Sequence, residues 1–497
     1  MLLPAVRCRP RQVTHSVLQI ATISGGERAT AIVLCGKSQR SGAGAAGPGR
    51  TGARYTVVME PTRRELLQLA GAGVAGLAGL ALGGCDAGGP ADEATAVLEP
   101  DPGSFLVAVY TRRRVPEATP EATPEATIDA TIEVRTGGAV VQRAVVALTD
   151  GIGAAAIAGL TADTRYEVTI EVGGRRVGPH RVRTAPGPDD PRPVRVAISA
   201  DIDPNPQFDS GMLDALVAED PELYISIGDF PYTDNGPPAA TVAQYRARHL
   251  EVRSHPPVKN LLEACGMRAI YDDHEFANNW DARLVASDGA RYAAAMQTWD
   301  EFFPLPVAGE IKYRSWRWGA HLECFLLDCR RFRSANNAPD DARKTMLGAA
   351  QLQWLIDGVT RSTATFKLIL TSVPLDFGVG DDHWATFTTE RDAMFVALVG
   401  TPGVLFTSGD QHWFAAHRHA FGIREMQIGP IARGIGVPGP MVPGVVFRAP
   451  RYNAGLVEID GDRLTFSGLG ADGERFYTET VTAAELTPSA PVTTRRA

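Results

Sequence analysis

The stretch that most constrains this chain is Tyr271-Asp272-Asp273-His274-Glu275, directly behind the apolar run Met267-Arg268-Ala269-Ile270. A short apolar run that ends abruptly in charge reads as a buried strand delivering its last side chains to a sheet edge. Four acid/base groups in a row are costly to bury alone, so they are solvated, mutually paired or bound to a cation. Taken by itself, the stretch is explained equally well by a bare solvated loop. The pattern recurs, however. Val194–Ser199 ends in Ala200-Asp201-Ile202-Asp203-Pro204-Asn205, Leu223–Ile227 in Gly228-Asp229-Phe230-Pro231-Tyr232, and Val404–Thr407 in Ser408-Gly409-Asp410-Gln411-His412.

Between these runs lie segments with helical apolar spacing. Strands are expected over Val194–Ser199, Leu223–Ile227, Met267–Tyr271, Cys324–Leu327, Phe366–Thr371 and Val404–Thr407. Helices are expected over Asp209–Val217, Val242–Leu262, Gly289–Phe302 and Leu347–Val359. The alternation predicts a layered α/β domain over 191–480, followed by a tail over 481–497. Ligands of such folds sit at the carboxyl ends of strands, so the acidic loops are expected to converge. Upstream, 101–187 reads as all-β, with Ser104–Tyr110 and the alternating Arg165–Val172 as its clearest strands. Pro116-Glu117-Ala118-Thr119 repeats twice more through Thr127, a solvated hairpin extension, and Ala185–Pro191 is a linker.

Composition bounds the setting. The 497 residues carry a net charge of −8, but 1–58 hold eight Lys/Arg against one Glu, leaving a net of −15 on the remainder. An acidic body gives a polyanion nothing to approach, so no specific nucleic-acid partner is expected. Residues 1–58 show no sustained period and read as untranslated or disordered. Met59 opens a clearer signal: Arg63-Arg64, an apolar stretch from Leu66 to Leu82, then Gly83-Gly84-Cys85. This is a twin-arginine export signal with an apolar core short for a membrane span. Leu82-Gly83-Gly84-Cys85 resembles a bacterial lipobox, which implies processing over 59–85, a lipid on Cys85, and a tether over 86–100. The expectation is an exported, membrane-anchored cell-envelope lipoprotein that uses the twin-arginine machinery. Cys265, Cys324 and Cys329 are an odd set, expected to be buried free thiols.

Hard oxygen donors with one or two imidazoles suit Fe, Mn, Zn or Ca rather than thiolate chemistry. The residues then carry a resemblance. Gly228-Asp229-x-x-Tyr232, Asp272-Asp273-His274-Glu275 with Asn278-Asn279, and Ser408-Gly409-Asp410-x-His412 are similar to the alkaline phosphatase D (PhoD-like) branch of the calcineurin-like metallophosphoesterases. So are Leu327–Arg333, the Leu347-Gly348-x-x-Gln351-Leu352-x-Trp354-Leu355 run, and Leu160–Tyr166, which resembles the tyrosine corner of a fibronectin type III-like sandwich. The resemblance implies an α/β metallophosphoesterase domain behind an all-β fibronectin III-like sandwich, with two metal ions that hydrolyse phosphate mono- or diesters. By position, Asp229 would bridge the ions, with Asp201 and Tyr232 on one side and Asp273, Asp410 and His412 on the other or at the bridge. Asn278, Asn279 and Arg330 become candidate substrate contacts. Many relatives carry Ser-Cys where this chain has Ser199-Ala200-Asp201-Ile202-Asp203. A carboxylate, Asp201 or Asp203, must stand in for the thiolate, which leaves Ca with Fe, Mn or Zn open as the pair.

Two cations about 3.5–4 Å apart would activate a shared water and neutralise phosphoryl charge, and His274 could protonate the leaving alkoxide or orient the phosphate. Arg330 and Arg333 could clamp phosphate oxygens but read first as surface ion pairs, and His417 and His419 could be extra ligands but read first as surface or packing residues. Asp381-Asp382-His383-Trp384 reads as a loop that covers the site or is simply exposed. The formal G-x-G-x-x-G runs Gly71–Gly76 and Gly434–Gly439 follow no strand or contain proline, so they are accidental. No G-x-S-x-G occurs, which disfavours a serine hydrolase. Two alternatives remain: a catalytically silent surface binding module, and a hydrolase of the same fold acting on a non-phosphate ester.

Overall fold

A computed structural model describes residues 93–112, 128–205, 208, 210–307, 309 and 311–490, together with the backbone of strands Ser16–Ser24, Ala29–Lys37 and Val57–Met59. The export signal beyond Met59, the 116–127 repeat and the end of the tail therefore lie outside the described residues. The chain divides into two compact units, Met1–Gly88 and Gly89–Ala497. In the first, Ser16–Ser24 and Ala29–Lys37 form an antiparallel pair that Val57–Met59 extends. This corrects the reading of 1–58 as having no folded part. Val17, Ile20, Thr22 and Ile23 supply β propensity.

The second unit is built on two mixed sheets. One has nine strands in the spatial order Arg475–Thr482, Arg463–Leu469, Ala454–Asp460, Val194–Ser199, Leu223–Ser226, Met267–Ala269, Glu93–Asp101, Ser104–Thr111, Ile152–Ala158. The other has seven: Arg314–Trp318, Leu322–Leu326, Phe366–Leu370, Val404–Ser408, Arg424–Gln427, Phe414–Arg418, Val445–Ala449. Side chains alternate between two cores, as a period of two requires. Val196, Ile198 and Ile225 meet Leu326, Leu368 and Leu405 between the sheets. Ala197 and Tyr224 point the other way, toward helices Met212–Ala218, Val242–Arg253, Pro256–Ala264 and Gly289–Phe302. Helices Gly348–Arg361 and Thr388–Ala397 cover the far face of the second sheet through Leu355 and Phe395. Burial on both faces explains why the central strands read as continuous apolar runs.

Three boundaries differ from expectation. The helix expected over Val242–Leu262 is two helices, because Pro256 and Pro257 lack N–H donors and start a new helix after Arg253. The tether expected over 86–100 is, from Glu93, a buried strand. Its alternation of Ala94, Ala96 and Leu98 toward the helices with Val97 toward the β core was hidden among acidic residues. The tail expected from 481 is packed as far as Leu486, whose carbonyl accepts from Val404 N and whose side chain is buried between the sheets.

The all-β region forms a sandwich, but not a separate bead. Strands Arg175–Arg183, Arg165–Val172, Ile128–Thr136 and Ala139–Leu148 form one sheet. They pack through Ile132, Val168 and Ile170 on Val97, Phe105 and Val107 of the nine-stranded sheet. Glu93–Asp101 runs parallel to Met267–Ala269 through the pair Leu98↔Met267, joining the sandwich to the α/β body. The Tyr166 hydroxyl accepts from Thr161 N at 2.9 Å.

Candidate metal centre

The parallel strands Val194–Ser199, Leu223–Ser226 and Met267–Ala269 of one sheet, and Val404–Ser408 of the other, deliver their acidic loops to one place. Backbone bonds knit the loops together. Asp201 N donates to Gly228 O, Ile202 N to Asp229 O, Ala432 N to Asp201 O and Gly409 N to Ser372 O. Two glycines make the approach possible. A Cβ on Gly228 would lie 2.5 Å from Asp272 Cβ, and one on Gly429 would lie 2.1 Å from Asp201 Oδ2. Asn453 holds Gly429 by accepting from its N–H at 3.0 Å and donating to its carbonyl.

The chain turns sharply at each functional side chain. Asp201, Asp229, Asp410 and His412 have φ of 63°, 59°, 73° and 61°, and Asn279 has 53°. Asp, Asn and His tolerate this left-handed region best among non-glycine residues, yet each such position costs on the order of 1 kcal/mol. Strain concentrated in one cluster marks it as a site.

Among the described residues, three sets there bring potential ligand atoms within 4.8 Å of one another: Asp201, Asp229 and His412; Asp229, Asp273 and His274; Asp272, Asp273 and Asp410. Asp229 is common to the first two. Both oxygens of Asp201, Oδ2 of Asp229 and Oδ1 of Asp273 are buried, and no protein donor reaches them. Burial, reinforced by the crowded carboxylates, pushes Asp201, Asp229 and Asp410 well above the ordinary carboxylate range. Buried oxygens that the protein does not satisfy, beside imidazole nitrogens, fit divalent cations.

The histidines are pre-oriented. His412 Nδ1 lies 2.6 Å from the Gly434 carbonyl, which only accepts, so the proton sits on Nδ1 and Nε2 presents its lone pair. Burial lowers His412 to about 4. The Tyr232 hydroxyl lies 2.8 Å from that Nε2, and burial together with Asp229 raises the phenol well above its usual value. His274 Nδ1 is 2.7 Å from Asp234, and its ring lies 4.1 Å from that of Tyr232. Burial opposes its charge, but Asp273 and Asp234 outweigh burial and raise His274 to about 9.

The structure also separates residues that the sequence left together. Asp201 joins the cluster, whereas Asp203 is engaged by Arg248 at 3.1 Å, Arg433 at 3.4 Å and the Asn235 amide. Arg330, a candidate substrate contact, is fully buried instead. Its fork grips Asp272 at 2.6 and 2.7 Å and Asp382 at 2.8 Å. Arg333 is likewise buried against Asp382 and Asn336. Asn278 is exposed, with its backbone N–H 3.1 Å from Asp234 Oδ2. Asn279 N donates to Asp273 Oδ2 at 2.6 Å, and its amide nitrogen can reach Asp382 and Asp273. The Asp381–Trp384 loop lines a cleft of about 280 Å³ over Asn279, Asp410 and His412. A larger cleft of about 450 Å³, lined by Arg165, Arg181 and Arg183 among others, lies away from these groups.

Two contributors escaped sequence reasoning: Asp234 orients His274, and Arg433 stacks 4.6 Å over Tyr232. Two residues of the singled-out motif have supporting roles: Glu275 accepts from Phe230 N at 2.7 Å and Asp272 N at 3.0 Å, tying two loops, and Asp272 anchors Arg330. Asp234, two residues beyond Tyr232, was signalled only by its place in the same loop.

A family model described as PhoD-like phosphatase matches residues 209–433, which leaves the departing first motif at Asp201 just upstream. Alkaline phosphatase D of Bacillus subtilis (strain 168) is 25% identical over 287 residues, 48% of this chain and 48% of its own, so the match spans about half of that relative's length. The solved structure of PhoD superposes with a TM-score of 0.67 at 18% identity, covering 78% of this chain and 88% of that one. Purple acid phosphatase PPD1 from yellow lupin (Lupinus luteus) seeds gives 0.59 at 12% identity, covering 81% and 77%. At these identities the structural likeness speaks for the fold, while the family match and the curated relative speak for kinship. The segment that carries the Asp229, Asp273 and Asp410 loops is thus similar to the PhoD-like phosphatases.

Proposed function

We propose that this chain is an exported metal-dependent phosphoesterase that hydrolyses phosphodiesters, phosphomonoesters or both. The observation that carries the reading is the convergence of four unpartnered buried carboxylate oxygens with two oriented imidazoles at the strand ends. Asp201, Asp229, Tyr232 and His412 would hold one ion. Tyr232 Oη and His412 Nε2, 2.8 Å apart, are close enough to serve it together. Asp229, Asp273 and Asp410 would hold a second, with Asp229 shared. Ions bound there would supply positive charge to a phosphoryl group and acidify a water for in-line attack.

The chain's own groups do the rest. With Nδ1 tied to Asp234, His274 has Nε2 left to give a proton to the departing alkoxide. Asp234 holds the ring in place and favours its charged form. Arg330 acts through Asp272, fixing the loop that carries Asp273 and His274. Asn279 holds Asp273 from its backbone N–H and borders the cleft.

A panel of chromogenic phosphate mono- and diesters beside carboxylic and sulfate esters tests the class. Turnover confined to phosphate esters and abolished by chelation is expected. Turnover of carboxylic or sulfate esters alone would replace the reading, and a folded protein with no turnover on any ester would favour a binding module. The twin-arginine signal and lipobox support export and anchoring through Cys85. Cys85→Ser is expected to leave the precursor uncleaved and absent from membrane fractions as a mature form, and unchanged processing would remove the anchor.

A further inference from the structure

A second constellation lies outside the strand-end centre and shares no residue with it. His417, the penultimate residue of strand Phe414–Arg418, faces Glu425 across the antiparallel pair, and His419 follows two residues on, with the two rings 3.9 Å apart. His417 Nε2 lies 3.3 Å from the Pro443 carbonyl, which only accepts, so the proton belongs on Nε2 and Nδ1 presents its lone pair. That Nδ1 is buried, has no hydrogen-bond partner, and stands 3.8 Å from Glu425 Oε2. His419 Nε2 stands 2.7 Å from the same oxygen. The carboxylate is fixed from behind, since Oε1 accepts from Leu375 N at 2.9 Å and Ser408 Oγ at 2.5 Å. Asp376, on the loop after strand Phe366–Leu370, completes the group. Asp376, His417 and His419 each bring one ligand atom within 4.8 Å of the others.

A carboxylate facing a bare ring nitrogen is repulsive unless a proton or a metal ion lies between them, and 3.8 Å is long for a hydrogen bond through a proton. A histidine that donates one nitrogen to a backbone carbonyl while leaving the other bare and buried has the usual arrangement of a metal ligand. Two imidazole nitrogens with carboxylate oxygens suit zinc-like ions better than calcium or magnesium. We propose that Asp376, His417 and His419, backed by Glu425, form a further metal site that takes a zinc-like divalent ion. The ion pins the Asp376–Asp382 loop to the sheet. That loop carries Asp382, which clamps Arg330, and Glu425 also holds Ser408, two residues before Asp410. The site is therefore structural, bracing one wall of the cleft, and it stands whether or not the strand-end centre turns over phosphate esters.

The test uses the full chain, stripped by chelation and re-equilibrated with zinc alone, with bound zinc counted per chain. The unmodified protein is expected to retain one equivalent more than His419→Gln. Asp376→Asn, altered on a loop rather than in the core, is expected to bind that equivalent about tenfold or more weakly. Zinc anomalous diffraction of the unmodified protein should place a peak among Asp376, His417 and His419. Equal zinc counts and affinities in all three folded proteins would overturn the proposal. So would an anomalous map with no peak there, and that map decides the matter even if His419→Gln fails to fold.

Discussion

Asp229 stands at φ 59° with a buried oxygen that no protein donor reaches, behind a glycine at φ 127°. Neither the strain nor the orphaned oxygen serves stability, so both belong to the site's work. The glycine is the more easily tested. Gly228→Ala would place a Cβ 2.5 Å from Asp272 Cβ in a backbone region unfavourable to alanine. A loss of about 1–3 kcal/mol is expected in denaturant unfolding, together with weakened metal binding as Asp272 and Asp273 are displaced. Unchanged stability and metal content would mean that the two strand ends are not held as close as described. Arg330 makes a related point. Its burial and its bonds to Asp272 and Asp382 make a candidate phosphate clamp the support under the acidic loop.

At the scale of elements, the sequence was most readable where one strand met one acidic loop. Val194–Ser199 and Gly289–Phe302 form over the expected residues, because unbroken apolar runs and a 3.6-residue period leave little ambiguity. The C-terminal strands Phe414–Arg418, Ala454–Asp460 and Arg463–Leu469 were not legible, since their pairing partners are set by tertiary contacts. Glu93–Asp101 was hidden by acidic flanks. Of the site, Asp201, Asp229, Asp273, Asp410 and His412 were legible as a pattern. The choice of Asp201 over Asp203, and the roles of Asp234 and Arg433, depended on where loops cross.

His180 joins strand Arg175–Arg183 to the helical layer, with Nδ1 3.1 Å from the Leu262 carbonyl and Nε2 2.8 Å from Thr95 Oγ1. Burial depresses it below its ordinary 6.5, and burial with the Arg253 charge does the same to His249. An unfolded chain therefore takes up protons that the folded one refuses once pH falls below about 6.5, and this stability is lost on acidification. The margin by which the unmodified protein's urea midpoint exceeds that of His180→Gln is expected to shrink between about pH 7.5 and about pH 5.5. An unchanged margin would remove His180 from this pH dependence.

On the scale of the whole molecule, the β sandwich and the α/β body share one sheet and one buried charge network. Arg268, only 4% exposed, donates to Glu99 at 2.6 Å and Asp101 at 2.6 Å, and Glu99 is also gripped by Arg314. Glu99→Ala would leave Arg268 to Asp101 alone and take from Arg314 its carboxylate partner, at an expected cost of about 3 kcal/mol in unfolding free energy. A cost near zero would mean that the junction tolerates an unpaired guanidinium and that the sandwich docks more loosely than its shared sheet implies. The strand Glu93–Asp101 extends the same sheet whose carboxyl ends form the metal centre, so the sandwich braces Met267–Ala269 and the loop beyond it. The most direct test of that centre pairs metal content with phosphodiester turnover in Asp229→Asn and in the unmodified chain, before and after chelation and add-back of Ca, Mn, Fe or Zn. The unmodified protein is expected to lose turnover on chelation and to regain it with metal. In Asp229→Asn, strand-end metal and at least about a hundredfold of turnover should be lost, and add-back should not restore them. Full turnover in a folded, metal-depleted Asp229→Asn protein would contradict this role for Asp229.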